Sequence, residues 1–158
     1  MMAQAPQGNW LDMFRWYLAV SAALHLGWES LQMLLYTLWR TASRGEIAFA
    51  VIHCTAGDVM IASLALLAAL LVLGRDTWPA ERGRPVVATA VAIGAGYTAY
   101  SEWLNTVVRK SWAYADAMPL LPGLGTGLSP LLQWLLVPLL AYWVALKLCA
   151  LPDRSGHQ

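Results

Sequence analysis

The chain has 158 residues, 59% of them hydrophobic and 12% charged, with a formal net charge of +1. One domain is expected at this length, and a charged share about half that of a soluble protein points to a membrane. The near-neutral charge leaves no electrostatic footprint for nucleic acid, and the two cysteines, Cys54 and Cys149, make no CxxC pair.

The first predicted element is a membrane-spanning helix over residues 16–39. It does not read as a cleaved signal peptide: the apolar run is too long, holds His25 and Glu29 in its middle, and precedes no convincing cleavage site. His25, Glu29, Gln32 and Tyr36 follow i, i+4, i+7, i+11 and so share one helical stripe.

A second span is expected over residues 47–73. Its His53 and Asp58 stand five positions apart, about 140° around an ideal helix. They cannot share a narrow stripe but can both border a cavity. Cys54, between them in angle, reads as a small buried hydrophobe.

The third span covers residues 86–108 and is opened by Pro85, where proline is tolerated. Ala90, Gly94 and Thr98 form a ridge of small residues that permits close helix contact. Thr98, Glu102, Asn105 and Arg109 make a second polar stripe.

Residues 109–127 are long for a helix connection and mix Trp112 and Tyr114 with prolines and glycines. Such loops often cover or line a site, so this one is a candidate lid. Its Gly123, Gly125 and Gly127 suit a tight turn; a phosphate-binding loop would need a strand, a helix and a lysine that are lacking. The fourth span, residues 128–148, begins with Gln133 and Trp134 close to the loop and contains Pro138, which is expected to kink it.

Each span exceeds the roughly 20 residues needed to cross a hydrocarbon core, and helices close their own backbone hydrogen bonds there. The expected fold is an all-α integral membrane protein: a single domain over residues 1–158, built as a four-transmembrane-helix bundle with a long loop between helices 3 and 4. Trp10, Trp16, Trp39, Trp78, Trp112 and Trp134 suit interfacial belts at the span ends.

Orientation follows from the basic flanks. The N-terminus, second loop and C-terminus hold Arg15, Arg75, Arg82, Arg84, Lys147 and Arg154, whereas the first and third loops hold Arg40, Arg44, Arg109 and Lys110. That bias favours both termini in the cytoplasm of a bacterial inner membrane.

Ionisable side chains inside a bilayer cost several kcal/mol unless they find partners or water, so their default reading is functional. At about 1.5 Å per residue, Glu29 and Asp58 fall near mid-bilayer, with His53, Glu102 and Asn105 further toward the side of the first and third loops. His25 fits this shared depth least well. The expected site is a pocket under the third loop. Glu29, Glu102 and Asp58 would be its acid–base groups, with His53 and His25 orienting them or relaying protons. Gln32, Asn105, Trp112, Tyr114, Gln133 and Trp134 would bind substrate.

Three function classes fit these residues. In the first, acids in an apolar pocket transfer protons to a lipophilic substrate, isoprenoid-like or lipid-like, with no cofactor required. In the second, His25, Glu29, His53, Asp58 and Glu102 ligate a divalent transition metal, although His-x-x-x-Glu and His-x-x-x-x-Asp depart from the Glu-x-x-His spacing of di-iron bundles. In the third, the chain is a non-catalytic subunit or carrier, as a homo-oligomer or in a larger membrane complex, handling protons, ions or quinone. Plain interhelical hydrogen bonds, worth about 0.6 kcal/mol on average in membranes, are the mundane alternative for each polar pair.

Overall fold

A computed structural model describes residues 10–74 and 77–150. Arg75 and Arg154, two members of the basic tally, lie outside the described residues. The described chain is all-helical, without strands. Its helices are α1 (Trp10–Gln32), α2 (Leu38–Thr41), α3 (Arg44–Leu73), α4 (Gly83–Trp103) and α5 (Leu128–Cys149).

The four long helices form an up-down-up-down bundle in which α1 packs on α3 and α5, and α4 packs on α3 and α5. α3 and α5 are long and apolar enough to cross a membrane. α1 and α4 have sufficient length but are less apolar, because His, Glu, Gln, Thr and Ser occupy their inner faces. On α3 and α5 the outward side chains are large and apolar: Leu71 is 88% exposed and Phe49 69%, and Leu136 and Trp143 are also exposed.

Helix boundaries differ from the sequence expectation in two places. The first helix begins at Trp10 and stops at Gln32, followed by a 3₁₀ turn over Met33–Leu35. The expected helix to residue 39 fails because the backbone there pairs with the third loop instead: the Thr37 amide donates to the Ala113 carbonyl (3.0 Å) and the Ala115 amide to the Leu35 carbonyl (2.9 Å). Two competing hydrogen-bond partners outweigh a weak local helix preference. The end of the third expected span is a π-helical turn, Leu104–Val108, which shifts the register of everything after Trp103.

α3 starts where the sequence provides a capping box. The Ser43 hydroxyl accepts from the Glu46 amide, and the Glu46 carboxylate accepts from the Ser43 amide at 2.8 Å. α4 follows a turn containing a cis Trp78–Pro79 bond, and Pro85 sits in its first turn as expected. Pro138 lies inside α5 without ending it.

The bundle interior has two storeys. Toward the second loop it is apolar, with Met13, Tyr17, Ala62, Leu66, Val86, Ala141 and Ala145 packed together. Small residues on α3 (Ala62, Ala65, Ala69) and on α4 (Ala90, Gly94) let the backbones approach. Toward the third loop the interior is polar, and His25, Glu29, Gln32, Glu102 and Gln133 are all buried. Two tryptophans expected at the interface are core residues: Trp78 is 3% exposed and Trp134 only 1%. Trp134 turns inward because α5 needs a large side chain to fill the space left by Gly94.

Candidate functional site

The polar storey is centred on Gln133 of α5. Its amide nitrogen donates to Glu29 Oε1 (3.0 Å) and to Asp58 Oδ2 (2.9 Å), and lies 2.8 Å from His25 Nδ1. His25 Nδ1 is in turn 3.3 Å from Asp58 Oδ2. Three helices, α1, α3 and α5, therefore meet at one amide group.

A primary amide has two protons for these three neighbours. Two tautomers divide them: with Nδ1 bare it accepts from Gln133 at 2.8 Å, and with Nδ1 protonated it donates to Asp58 while Gln133 serves both carboxylates and the Gln133–His25 contact must open. In the second arrangement Asp58 fixes the tautomer of the imidazole, as carboxylates do for working histidines. His25 Nε2 is then left as a bare lone pair. It is fully buried and has no hydrogen-bond partner. Ser21, one turn earlier on α1, is also fully buried with an unpartnered hydroxyl.

Gln32 ties this centre to the first turn of α5. Its nitrogen donates to Glu29 Oε1 (2.5 Å) and Gln133 Oε1 (3.3 Å), and its oxygen accepts from Trp28 Nε1 (3.2 Å) and Ser129 Oγ (2.9 Å).

Glu102 of α4 anchors a second group of polar side chains. It accepts from the Tyr36 hydroxyl at 3.3 Å and from the Tyr114 hydroxyl, and the Trp112 indole N–H lies close by without a bond of normal geometry. Tyr114 also takes the Gly127 amide on its hydroxyl oxygen (2.9 Å), and the Tyr36 and Tyr114 rings pack at 5.5 Å. The loop is thus pinned at Tyr36–Tyr114 and again at Leu120–Gly127, with its turn made by Gly123 and Gly125 at positive φ.

Burial, and then the Glu102 carboxyl that it bonds, push the Tyr114 phenol above its ordinary value. A raised folded-state value means the tyrosine's contribution to stability is complete below about pH 10 and is lost as the pH climbs past the folded value. Across neutral pH the loop stays anchored. Tyr114→Phe is expected to cost about 1–3 kcal/mol, the penalty for leaving a buried hydrogen-bond partner unsatisfied. Hydrogen exchange at residues 111–127 should speed up in that variant, and unchanged exchange would show that Tyr114 does not hold the loop.

The expected site residues divide as follows. The structure brings together His25, Glu29, Gln32, Asp58 and Gln133, and beside them Glu102, Tyr114 and Trp112. Trp134 packs against the His25 ring at 5.3 Å. It does not bring in His53, which is exposed and stacks on Phe49 one turn earlier on α3. The 140° between His53 and Asp58 puts one outside when the other is inside. His25, the residue that fitted least by depth, is the histidine that meets Asp58. Asn105 is turned onto its own helix, donating to the Ser101 carbonyl at 2.9 Å, because the π turn rotates it off the Glu102 face. Arg109 is exposed.

The five expected metal ligands accordingly do not assemble. Among the described residues no three His, Cys, Asp or Glu side chains converge as a metal-holding group. Residues the sequence reading passed over are Tyr36 as a Glu102 partner, Trp28 and Ser129 on Gln32, and Ser21. The four-residue spacing Tyr17, Ser21, His25, Glu29 carries a signal for Ser21, since all four are buried on one stripe.

Compared with protein-family models, with curated proteins and with solved structures, the chain matches none.

Proposed function

We propose that this chain is a multi-pass membrane protein whose four long helices all cross the bilayer, with both termini in the cytoplasm of an inner membrane, and whose polar storey is an acid–base centre acting on a lipophilic small molecule. The observation that carries the reading is the meeting of His25, Glu29 and Asp58 on Gln133, with His25 Nε2 left without a partner. The Gln133 amide holds an imidazole and two carboxyl groups together, and the direct His25–Asp58 contact can pass a proton between them. In this reading Asp58 orients His25, His25 and Glu29 exchange protons with the substrate, and Glu102 with the pinned loop shields the reaction from water.

The membrane assignment is supported by the exposed apolar faces of α3 and α5, which in water would form patches far larger than a soluble monomer carries. A cysteine placed at Ser111 is expected to react with an impermeant thiol reagent from outside the cell. Labelling only from the cytoplasmic side would invert the orientation.

The activity is tested by expressing wild-type, Glu29→Gln and Glu102→Gln protein in one host and comparing extracted lipids and isoprenoids by mass spectrometry. A species that changes with wild type and reverts by at least about tenfold in both folded variants is expected. Lipid profiles that stay the same across wild type and variants would overturn the enzymatic reading.

One observation favours a second reading. The polar side chains bond mainly to each other, and two shallow concavities of the molecule, one between Pro79 and Leu146 and one along Asp12, Arg15, Trp16 and Ala19, both lie away from Gln133. A closed network suits a subunit that stores or relays protons for a larger membrane partner, which would then copurify in fixed stoichiometry.

A further inference from the structure

At the opposite end of the bundle, where α4 begins, a shallow groove of about 360 Å³ is lined by Pro79, Arg82, Gly83, Arg84, Tyr142 and Leu146, among others. Four features of it point to an anion. Arg82 and Arg84 are both exposed, and neither has an acidic partner among the described residues. The N-terminus of α4 carries no side-chain cap, which leaves the Gly83 and Arg84 amides uncapped at the start of a 21-residue helix, Pro85 having no N–H to offer. Tyr142 is only 7% exposed, yet its hydroxyl has no hydrogen-bond partner. That hydroxyl lies against Gly83, where an added Cβ would collide with it. Fourth, the Trp78 ring packs behind Tyr142 at 6.3 Å with its buried indole N–H close to the phenol oxygen but without a bond of normal geometry, so the phenol proton is the donor left for a ligand.

A buried phenol whose proton has no acceptor is costly, and native structures rarely leave one. Two guanidinium groups, uncapped helix amides and a phenol together match the oxygens of a phosphate, which accepts several charge-assisted hydrogen bonds at once. The other wall of the groove is apolar, formed by Leu146 of α5 and by Pro79 and Pro85. Beyond it runs the exposed leucine face of α5, with Leu132, Leu135, Leu136 and Leu139. A ligand with a phosphate at one end and hydrocarbon at the other satisfies both walls.

We propose that this groove binds the phosphate headgroup of an anionic phospholipid, with its acyl chains lying along α5. The proposal rests on the membrane reading above and is independent of the acid–base centre. In a bilayer the groove would sit at headgroup level, on the side shared with the second loop. That is the side to which the basic residues assign the cytoplasm, where anionic lipid attracts arginine.

The test uses the full chain, delipidated in detergent and reconstituted into nanodiscs of phosphatidylcholine with or without phosphatidylglycerol. Lipid retained on re-extraction is read by native mass spectrometry. Wild type is expected to retain phosphatidylglycerol over phosphatidylcholine. The double variant Arg82→Gln/Arg84→Gln is expected to lose that preference by about tenfold or more, and Tyr142→Phe, which keeps the packing, by about threefold to tenfold. Inorganic phosphate at millimolar concentration should compete weakly. Equal retention of both lipids by wild type, or an unchanged preference in the arginine variant, would overturn the proposal. Phosphate displacing the lipid completely would show a site for the free anion and overturn the lipid assignment. Failure to enter either bilayer would overturn the membrane reading and this proposal with it.

Discussion

Gln133→Leu should lower the stability of the bundle by about 3 kcal/mol or more, although it replaces a polar side chain with an apolar one of similar size in an apolar helix. The reason lies in what Gln133 leaves behind. Its amide nitrogen reaches Glu29, Asp58 and His25, and its oxygen accepts from Gln32. Removing one partner of a buried polar set leaves the others desolvated and unpaired, which costs about 1–3 kcal/mol for a neutral group and more for a charged one. A fall of about 10 °C in the detergent melting temperature is expected for a chain of this size. Adding Glu29→Leu to Gln133→Leu should recover part of the loss, because one stranded carboxyl is then removed. A Gln133→Leu protein as stable as wild type would show that the carboxyls find other partners and that Gln133 is not the hub.

Gly94→Ala is expected to reverse the usual sign of a glycine-to-alanine change in a helix. On an open helix face alanine is favoured by about 1 kcal/mol. At Gly94 the new methyl would overlap the six-membered ring of Trp134, which is itself 1% exposed and cannot swing away. Overpacking of this kind costs about 1–3 kcal/mol, enough to exceed the propensity gain, and Gly94→Val should cost more. Gly96→Ala on the same helix is the control, since a Cβ there meets nothing within 4 Å, and it should be neutral or mildly stabilising. The readout is the shift in unfolding midpoint of the three variants. Gly94→Ala behaving like Gly96→Ala would mean that Trp134 does not pack on α4 as described. Because Trp134 also touches the His25 ring, the Gly94 variants should disturb the polar cluster around Gln133 without altering any residue in it.

How far these features could be read in the sequence depends on whether each is local. The spans of α3 and α5 were legible because length and apolarity are properties of one segment. The stripe His25, Glu29, Gln32 was legible for the same reason, since spacing on a single helix fixes it. The pairing of Asp58 was not. His53 is its neighbour in sequence, yet only the fold reveals that His25 on another helix comes to it while His53 turns outward. The end of α1 at Gln32 was hidden because the competing partners, Ala113 and Ala115, lie far along the chain. Asn105 shared an ideal stripe with Glu102 until a π turn, unannounced by any residue pattern, rotated it away. Trp134 looked like an interfacial anchor from its position; its burial follows from a glycine on a different helix. The small ridge Ala90, Gly94, Thr98 was visible, but not what it would receive.

The uneven apolarity of the four long helices bears on how such a bundle is made. In a bilayer, α5 and most of α3 are apolar enough to leave an insertion channel into lipid singly. α1 brings His25, Glu29 and Gln32 on one face, and an acidic residue near mid-helix costs about 2.5–3.5 kcal/mol on insertion. The group that relieves that face, Gln133, is separated from Glu29 by 104 positions and lies on α5, which is synthesised well after α1. An early helix is therefore completed by a much later one. If α1 crosses the bilayer as proposed, it would need shelter at the channel or from a membrane chaperone until α5 emerges, and a chain truncated before Gln133 would leave it exposed to quality-control proteolysis.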